Sequence, residues 1–164
     1  MSDVELLTLL EAARWAPSSY NNQPWRFLYA KRDTPHWPVF FDLLIEANQR
    51  WAHNAALLLV LLSKNTFEHN GEPAPTHTFD TGAAWQNLAL QGAAHGLVVH
   101  GMQGFDADKA RDVLHVPDDF TVEIMVAIGK PGPVTVLPER YREREVPSGR
   151  KPVNEIAFEG PFPG

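Results

Sequence analysis

The chain has 164 residues, of which 44% are hydrophobic and 21% charged, and its formal net charge is −6. This is the composition of one globular domain of ordinary size. Cysteine is absent, which excludes a disulfide framework, a thiolate nucleophile and a cysteine-based metal site. The acidic balance argues against nucleic acid as the main partner. No apolar run approaches the roughly 20 residues that cross a bilayer, and no signal-peptide pattern opens the sequence. We therefore expect a cytoplasmic protein without a membrane partner.

The first helix is predicted by a capping box of Ser2 and Glu5, and Pro17 ends it near Ala16. The residues that follow predict, in chain order, a strand at 25–30, a helix at 37–48, a strand at 55–62 and a polar loop at 65–78. The strand at 55–62 is an unbroken apolar run, which indicates burial on both of its faces.

The second half of the chain opens with a long predicted helix at 80–95, for which Asp80 is the expected N-cap and Gly96 lies at the C-terminal cap. A short strand at 97–102, a helix from Asp106 to about residue 114 and an alternating strand at 121–128 follow. Few strands and several helices predict an α+β fold with a mixed sheet flanked by helices.

The character of the chain changes at residue 130. Seven of the fourteen prolines lie in residues 131–163, together with several arginines, and no helical period is visible. Such a segment cannot pack on its own. A disordered tail is one interpretation. The apolar residues Ile156, Phe158 and Phe162 favour another, in which 130–164 is an extended arm of a single domain, 1–164, that lies on a second subunit.

The most polar junction lies between the first helix and the first strand. Two serines and three side-chain amides are concentrated in the sequence Ala16-Pro17-Ser18-Ser19-Tyr20-Asn21-Asn22-Gln23-Pro24-Trp25-Arg26-Phe27. Loops held between rigid elements are where binding residues concentrate. This loop has the hydrogen-bonding groups to bind the edge of a flat polar heterocycle.

Other chemistries have weaker support. The sequence Asp80-Thr81-Gly82-Ala83 matches the signature of aspartic proteases, which need the aspartate in a pair that shares one proton, yet it lies at the start of a predicted helix. His95 and His100 flank Gly96 at a spacing that does not share a helix face, so we expect no metal site. Nucleotide-binding glycine motifs and a serine-hydrolase elbow are absent from the sequence.

The residues Gln103 and Gly104, directly before Asp106, have two interpretations. A glycine permits close approach of the backbone to a ligand, and Asp106 then opens a helix whose free N–H groups lie nearby. Equally, the segment is an ordinary strand-to-helix turn in which Gly104 adopts a left-handed conformation.

Several segments occur together in a characteristic order. They are 12–27, Asp80-Thr81-Gly82-Ala83-Ala84-Trp85-Gln86-Asn87-Leu88-Ala89-Leu90-Gln91, His95-Gly96-Leu97, Gly104-Phe105-Asp106, Pro117-Asp118-Asp119, Ile128-Gly129-Lys130-Pro131 and Arg150-Lys151-Pro152. In this order the chain resembles the flavin-dependent nitroreductase family over essentially its whole length. The segment 12–27 is the most specific of them.

The resemblance implies an intertwined homodimer with one FMN in each of two sites at the subunit interface. It also implies a ping-pong reaction, in which NAD(P)H reduces the flavin and a nitroaromatic or quinone then enters the same cleft. FMN carries the chemistry, so the resemblance assigns no catalytic side chain.

Individual positions follow from the same resemblance. The loop side of the flavin would be contacted by Pro17, Ser18, Ser19, Asn21 and Gln23. Gln103 and Gly104 would lie by the ring near N5. Arg50 would lie near the pyrimidine edge, where a cation favours the reduced flavin. Arg150 and Lys151 would meet the FMN phosphate.

One departure concerns the phosphate. Chains of this family usually begin with a further segment that carries an Arg-x-Ser-x-Arg-like motif, whereas this sequence opens directly on the capping box. Two lost phosphate hydrogen bonds, at about 1.5–3 kcal/mol each, weaken FMN binding by orders of magnitude. Arg140, Arg142 and Arg144 are candidate substitutes. A flavin-poor binding module with the family fold is therefore the alternative function.

Overall fold

The fold is that of a computed structural model, which describes residues 1–137, 139–143 and 145–163. The chain divides into two compact units, residues 1–131 and residues 132–164. The second contains the short helix α6 (Glu139–Arg142) and 3-10 turns at Val134–Val136 and Val153–Glu155. The first contains, in chain order, α1 (Asp3–Arg14), a 3-10 turn (Ser19–Asn21), β1 (Trp25–Lys31), α2 (Trp37–Phe41), α3 (Glu46–Ala52), β2 (Leu57–Lys64), α4 (His77–Ala94), β3 (Val98–Met102), α5 (Ala107–Val113) and β4 (Phe120–Gly129).

The four strands form one sheet in the order β1-β2-β4-β3, so β1 and β3 are its two edges. The α+β class predicted from the sequence is confirmed. The expected mixture of strand directions is not seen, since every pairing among the described strands is antiparallel. The reason is the connectivity. Lys31 at the end of β1 pairs with Leu57 at the start of β2, so the helices between the two strands lead the chain back and β2 runs antiparallel to β1. β3 and β4 also follow one another along the chain and pair antiparallel, with Met102 opposite Met125.

The sheet is covered by side chains on both faces. Along β2, Leu57, Leu59 and Leu61 join a cluster with residues of α1 and α4. The alternate residues, Leu58, Val60 and Leu62, belong to a second cluster with residues of α2 and the segment after it. Because each fully buried leucine contributes about 1.5–3 kcal/mol, this strand is the centre of the fold. The predicted burial of both its faces is confirmed.

The prediction of one continuous helix at 37–48 is wrong. It is two short helices, α2 and α3, separated by residues 42–45. The backbone of Ile45 is extended, and its N–H donates to the carbonyl oxygen of Gly104 at 3.1 Å. Leu44 also pairs with Phe105 in an isolated bridge. The segment therefore hydrogen-bonds to the turn after β3 in place of a helical turn, a tertiary contact that local propensity does not report.

The predicted N-cap at Asp80 is also wrong. α4 begins earlier, at His77 after Thr76, and Asp80 lies in its first turn. At the other end the prediction holds: Gly96 follows the cap residue His95 with a φ of +68°, the left-handed conformation that ends helices. No helix in the described part of the chain is long and apolar enough to cross a membrane.

Gly92 gives a direct test of how α4 packs on β3. A Cβ at Gly92 would overlap Cγ2 of Val99, whose branched side chain has little rotamer freedom. Helix propensity alone favours Gly92→Ala by about 1 kcal/mol. We expect a net destabilisation of about 1–2 kcal/mol instead, measured by urea unfolding. In a Val99→Ala background the cost should shrink, and an equal cost in both backgrounds would contradict this packing.

Candidate functional site

The α1–β1 loop (residues 15–24) follows an uncommon backbone path. Tyr20, Asn21 and Gln23 have φ values of 51°, 54° and 48°, in the left-handed region that residues other than glycine rarely adopt. Asparagine tolerates this region, but for a bulky residue such as Tyr20 it costs about 1–3 kcal/mol. Such conformations persist only where surrounding contacts impose them, and they concentrate at functional sites.

Those contacts come from three directions. Within the loop, the backbone N–H of Gln23 donates to Oγ of Ser18 at 3.0 Å. From α4, Oδ2 of Asp80 accepts the backbone N–H of Ser19 at 3.0 Å. On the third side lies the segment after β2: Nδ2 of Asn22 donates to the carbonyl of residue 66 at 3.2 Å, and its Oδ1 accepts the N–H of residue 68 at 2.9 Å. The loop is therefore fixed at several points.

Aromatic side chains meet at the tip of the loop. The ring of Tyr20 lies edge-on to Phe67 with centroids 5.5 Å apart, and both rings lie within 6 Å of His69. Edge-to-face pairs of this kind are favourable beyond their buried area. Tyr20 is nonetheless 82% exposed, so one face of this aromatic cluster remains open to solvent.

Some polar groups of the loop remain available to a ligand. Among the described residues, neither the hydroxyl of Ser19 nor the carboxamide of Asn21 has a hydrogen-bond partner. Gln23 turns its Nε2 back onto the carbonyl of Asn21 at 3.0 Å, and Ser18 is occupied with the backbone of Gln23. Of the five loop residues predicted to bind, Pro17 and Asn21 are exposed and the other three are half-buried.

The second group of predicted residues lies where β3 ends. The carbonyl of Gly104 accepts hydrogen bonds from the N–H of Ile45 and from Nδ2 of Asn48 at 2.9 Å. A Cβ at Gly104 would lie 2.7 Å from Asn48 Nδ2 and from Ile45 Cδ1. Gly104 does not have a positive φ, so the left-handed interpretation is wrong, and close approach to α3 explains the glycine. Gln103 beside it is exposed.

Arg50 is on α3, two residues after Asn48, which contacts this turn. Its guanidinium contacts the carboxylate of Glu46 one helical turn earlier at 2.5 Å. Trp51 donates from Nε1 to Asn48 at 3.3 Å and packs against His100 of β3 with ring centroids 4.7 Å apart. α3 is thereby attached to both the turn and the edge strand.

The predicted phosphate-binding residues belong to the second unit. Arg150 donates to the carbonyl and hydroxyl oxygens of Ser148 and to the carbonyl of residue 149. Lys151 is exposed. Of the candidate substitutes, Arg142 donates to backbone carbonyls of its own unit, whereas Arg144 and the side chain of Arg140 lie outside the described residues.

The two groups in the first unit lie at opposite edges of the sheet. The loop leads into β1, and Gln103 and Gly104 follow β3. Three strand spacings separate these edges, which amounts to roughly 14 Å. The structure therefore brings the loop residues together and places Arg50 on the helix that contacts Gly104, but it does not bring the two groups together within one chain.

The family of the chain follows from its similarity to known sequences. A model of the nitroreductase family matches residues 1–130 of the chain. The chain belongs to the nitroreductase family. A chain from Mycolicibacterium smegmatis, named an uncharacterized 15.4 kDa protein in the ask 5′ region, is 31% identical over 71% of this chain and 78% of its own length. The DrgA protein of Synechocystis is 31% identical over 74% of this chain and 70% of its own length.

Solved structures of nitroreductase relatives agree with this fold. A crystal structure described as an oxidoreductase containing FMN matches all of this chain and 84% of its own, with a TM-score of 0.96 and 49% identity. A structure from Desulfovibrio desulfuricans, solved in complex with FMN, matches 99% of this chain and 87% of its own, with a TM-score of 0.75 and 26% identity.

Three residues of this nitroreductase-family site were not predicted from the sequence. Asp80 and Asn22 hold the loop, and Asn48 holds the turn at Gly104. Asn22 stands among the polar residues of the loop, so its amide was a visible signal. Asp80 and Asn48 act on segments 61 and 56 residues away, which no local pattern reports.

One carboxylate of this region has a lowered pKa. Hydrogen bonding and charge from Lys64 hold the pKa of Glu68 below its usual value. Glu68 is the residue whose N–H binds Asn22 of the loop. Across the described residues, no group of three or more His, Cys, Asp or Glu side chains is arranged to hold a metal ion.

Gly104→Ala tests the turn after β3. The added Cβ would displace Asn48 and Ile45, so we expect a destabilisation of about 1–3 kcal/mol by urea unfolding. Gly149→Ala is the matched control, since nothing lies within 4 Å of the Cβ position there and its φ is not positive. A Gly104→Ala protein as stable as the control variant would show that the close approach is not needed.

Proposed function

We propose that this nitroreductase-family chain is an FMN-dependent oxidoreductase that uses NADH or NADPH to reduce nitroaromatics, quinones or related acceptors. The observation that carries the proposal is the α1–β1 loop, whose backbone is left-handed at three residues and in which the Ser19 hydroxyl and the Asn21 amide have no hydrogen-bond partner among the described residues. The FMN in a structure 49% identical over the whole chain supports the choice of cofactor.

The residues present fit this cofactor by their chemistry. Hydroxyl and amide groups of Ser18, Ser19, Asn21 and Gln23 match the carbonyl and nitrogen edge of a flavin ring, with Pro17 against its face. Gln103 and Gly104 offer a backbone edge, and Arg50 a cation whose charge Glu46 partly offsets. Arg150 and Lys151 suit a phosphate, which arginine binds with particularly strong hydrogen bonds.

Each FMN site would draw on two subunits. The loop and the Gly104 turn are at opposite edges of one sheet, so a second copy supplies the missing side most simply. Two exposed apolar side chains on α4 support such a homodimer: Phe79 is 80% exposed and Leu90 60%, and a partner subunit would remove both from water. Residues 130–164 would form the arm of the single domain 1–164 and lie on the partner.

In the proposed mechanism, the protein residues would bind and orient FMN and exclude water from the site. When bound, FMN would supply the chemistry of hydride transfer from NAD(P)H to the acceptor, so we assign no catalytic side chain. The oxidised product, NAD(P)⁺, would leave before the acceptor enters the same cleft, which gives ping-pong kinetics. The rigid loop would keep the ring in one orientation for both steps, since misplacement by about 1 Å costs roughly a hundredfold in rate. We place the enzyme in the cytoplasm.

The first test is an FMN titration, in which visible absorbance reports binding. The wild-type protein should bind FMN at one per chain and oxidise NAD(P)H in the presence of a quinone. A Ser19→Ala/Asn21→Ala variant loses two ligand hydrogen bonds, so its FMN dissociation constant should rise about 10- to 100-fold. Asn54→Ala is the control. It removes an exposed amide just before the start of β2 and should leave the FMN dissociation constant unchanged.

A wild-type protein that binds no FMN in this titration would overturn the proposal in favour of a binding module without the reaction. Binding that is unaffected in the double variant would remove the loop from the site.

The homodimer has its own test. Phe79→Asp and Leu90→Asp each place a charge at one of the two exposed apolar positions of α4. Together they should convert a dimer to monomers in light scattering. The control is Val113→Asp, at an exposed position on α5, which should leave the dimer intact. A wild-type protein that is monomeric would contradict the two-subunit site.

A further inference from the structure

Asp80 has a buried carboxylate with no part in the proposed chemistry. It is only 6% exposed, and its Oδ2 accepts two hydrogen bonds, from the backbone N–H of Ser19 at 3.0 Å and from Oγ1 of Thr76 at 3.1 Å. A carboxylate accepts hydrogen bonds more strongly than a neutral group. The bond to Ser19 spans 61 residues and is directed at the backbone immediately before the left-handed residues of the loop.

The first turn of α4, which carries Asp80, is itself fixed to the sheet. Oγ of Ser63, a fully buried residue at the end of β2, donates to Oε1 of Glu123 on β4 at 2.5 Å. The same Oε1 accepts from Oγ1 of Thr78 at 2.9 Å. Nδ1 of His77 lies 2.7 Å from the Ser63 hydroxyl. Two strands thus hold the turn, and Asp80 transmits that rigidity to the loop.

The loop needs such support because its own conformation is unfavourable. Tyr20 and its neighbours occupy backbone regions that persist only when outside contacts impose them. Removing the Asp80 acceptor would leave the half-buried N–H of Ser19 without a partner and would free the backbone on the N-terminal side of Tyr20. Buried donors left unpaired are costly, so the loop would sample other conformations.

We propose that Asp80 is a positioning residue, which holds the α1–β1 loop in the conformation that receives the cofactor. The inference rests on the proposed FMN site. It also explains the aspartic-protease-like sequence at 80–83: the aspartate faces a backbone N–H of the same chain, not a second carboxylate. Its Oδ2 accepts from Ser19 and Thr76, so its effect on the cofactor would pass through the loop.

The test compares Asp80→Ala, Asp80→Asn and a matched control, Thr81→Val. Thr81 is the next residue and is also buried, but its hydroxyl has no hydrogen-bond partner within the described chain. Asp80→Ala should raise the FMN dissociation constant about 10- to 100-fold, the loss expected for a hydrogen bond to a charged group. Asp80→Asn keeps an oxygen acceptor and should recover most of the affinity. Thr81→Val should bind as the wild type.

A second measurement does not need FMN. In the flavin-free protein, amide hydrogen exchange at residues 19–23 should be faster in Asp80→Ala than in the wild type, while exchange in β2 stays slow. Faster exchange without a change in FMN affinity would overturn the positioning role and leave Asp80 a purely structural residue. Equal losses in Asp80→Ala and Thr81→Val would overturn it as well. If the wild type binds no FMN, the proposed function fails, and the exchange data still report on the contact.

Discussion

The backbone between α1 and β1 follows a path that ordinary residues disfavour, and the proposed site depends on the contacts that keep it there. Tyr20, Asn21 and Gln23 have positive φ values, and for Tyr20 alone this conformation costs about 1–3 kcal/mol. The contacts come from the helix α4, from the segment after β2 and from within the loop. A loop held in this way presents its free polar groups in one arrangement before any ligand arrives.

The sheet order adds a second constraint. Because β1 and β3 are the edges of the sheet, the loop before β1 and the turn after β3 lie on opposite sides of its width. The proposed homodimer would unite these two segments in one binding site, because each subunit would give a different edge. The exposure of Phe79 and Leu90 on α4 is consistent with that arrangement. The conformational strain of the loop and the incompleteness of the single-chain site thus lead to the same proposal.

Local patterns predicted much of the fold and little of its long-range contacts. The doubly buried strand β2, the helix that Asp106 caps and the left-handed Gly96 follow from periodicity and capping rules that act within a few residues. The break between α2 and α3 could not be predicted, because Ile45 bonds to Gly104 far along the chain. The same reason applies to the site: the polar loop was visible in the sequence, but Asp80, which holds it, resembled a helix cap.

The central claim is that the α1–β1 loop and the turn after β3 bind one cofactor together. Amide hydrogen exchange of the wild-type protein, with and without FMN, tests it most directly. FMN should slow exchange in two separate segments, residues 18–23 and residues 103–104, although they lie at opposite edges of the sheet. Protection of only one of these segments, or an exchange pattern that FMN does not change, would contradict the shared site.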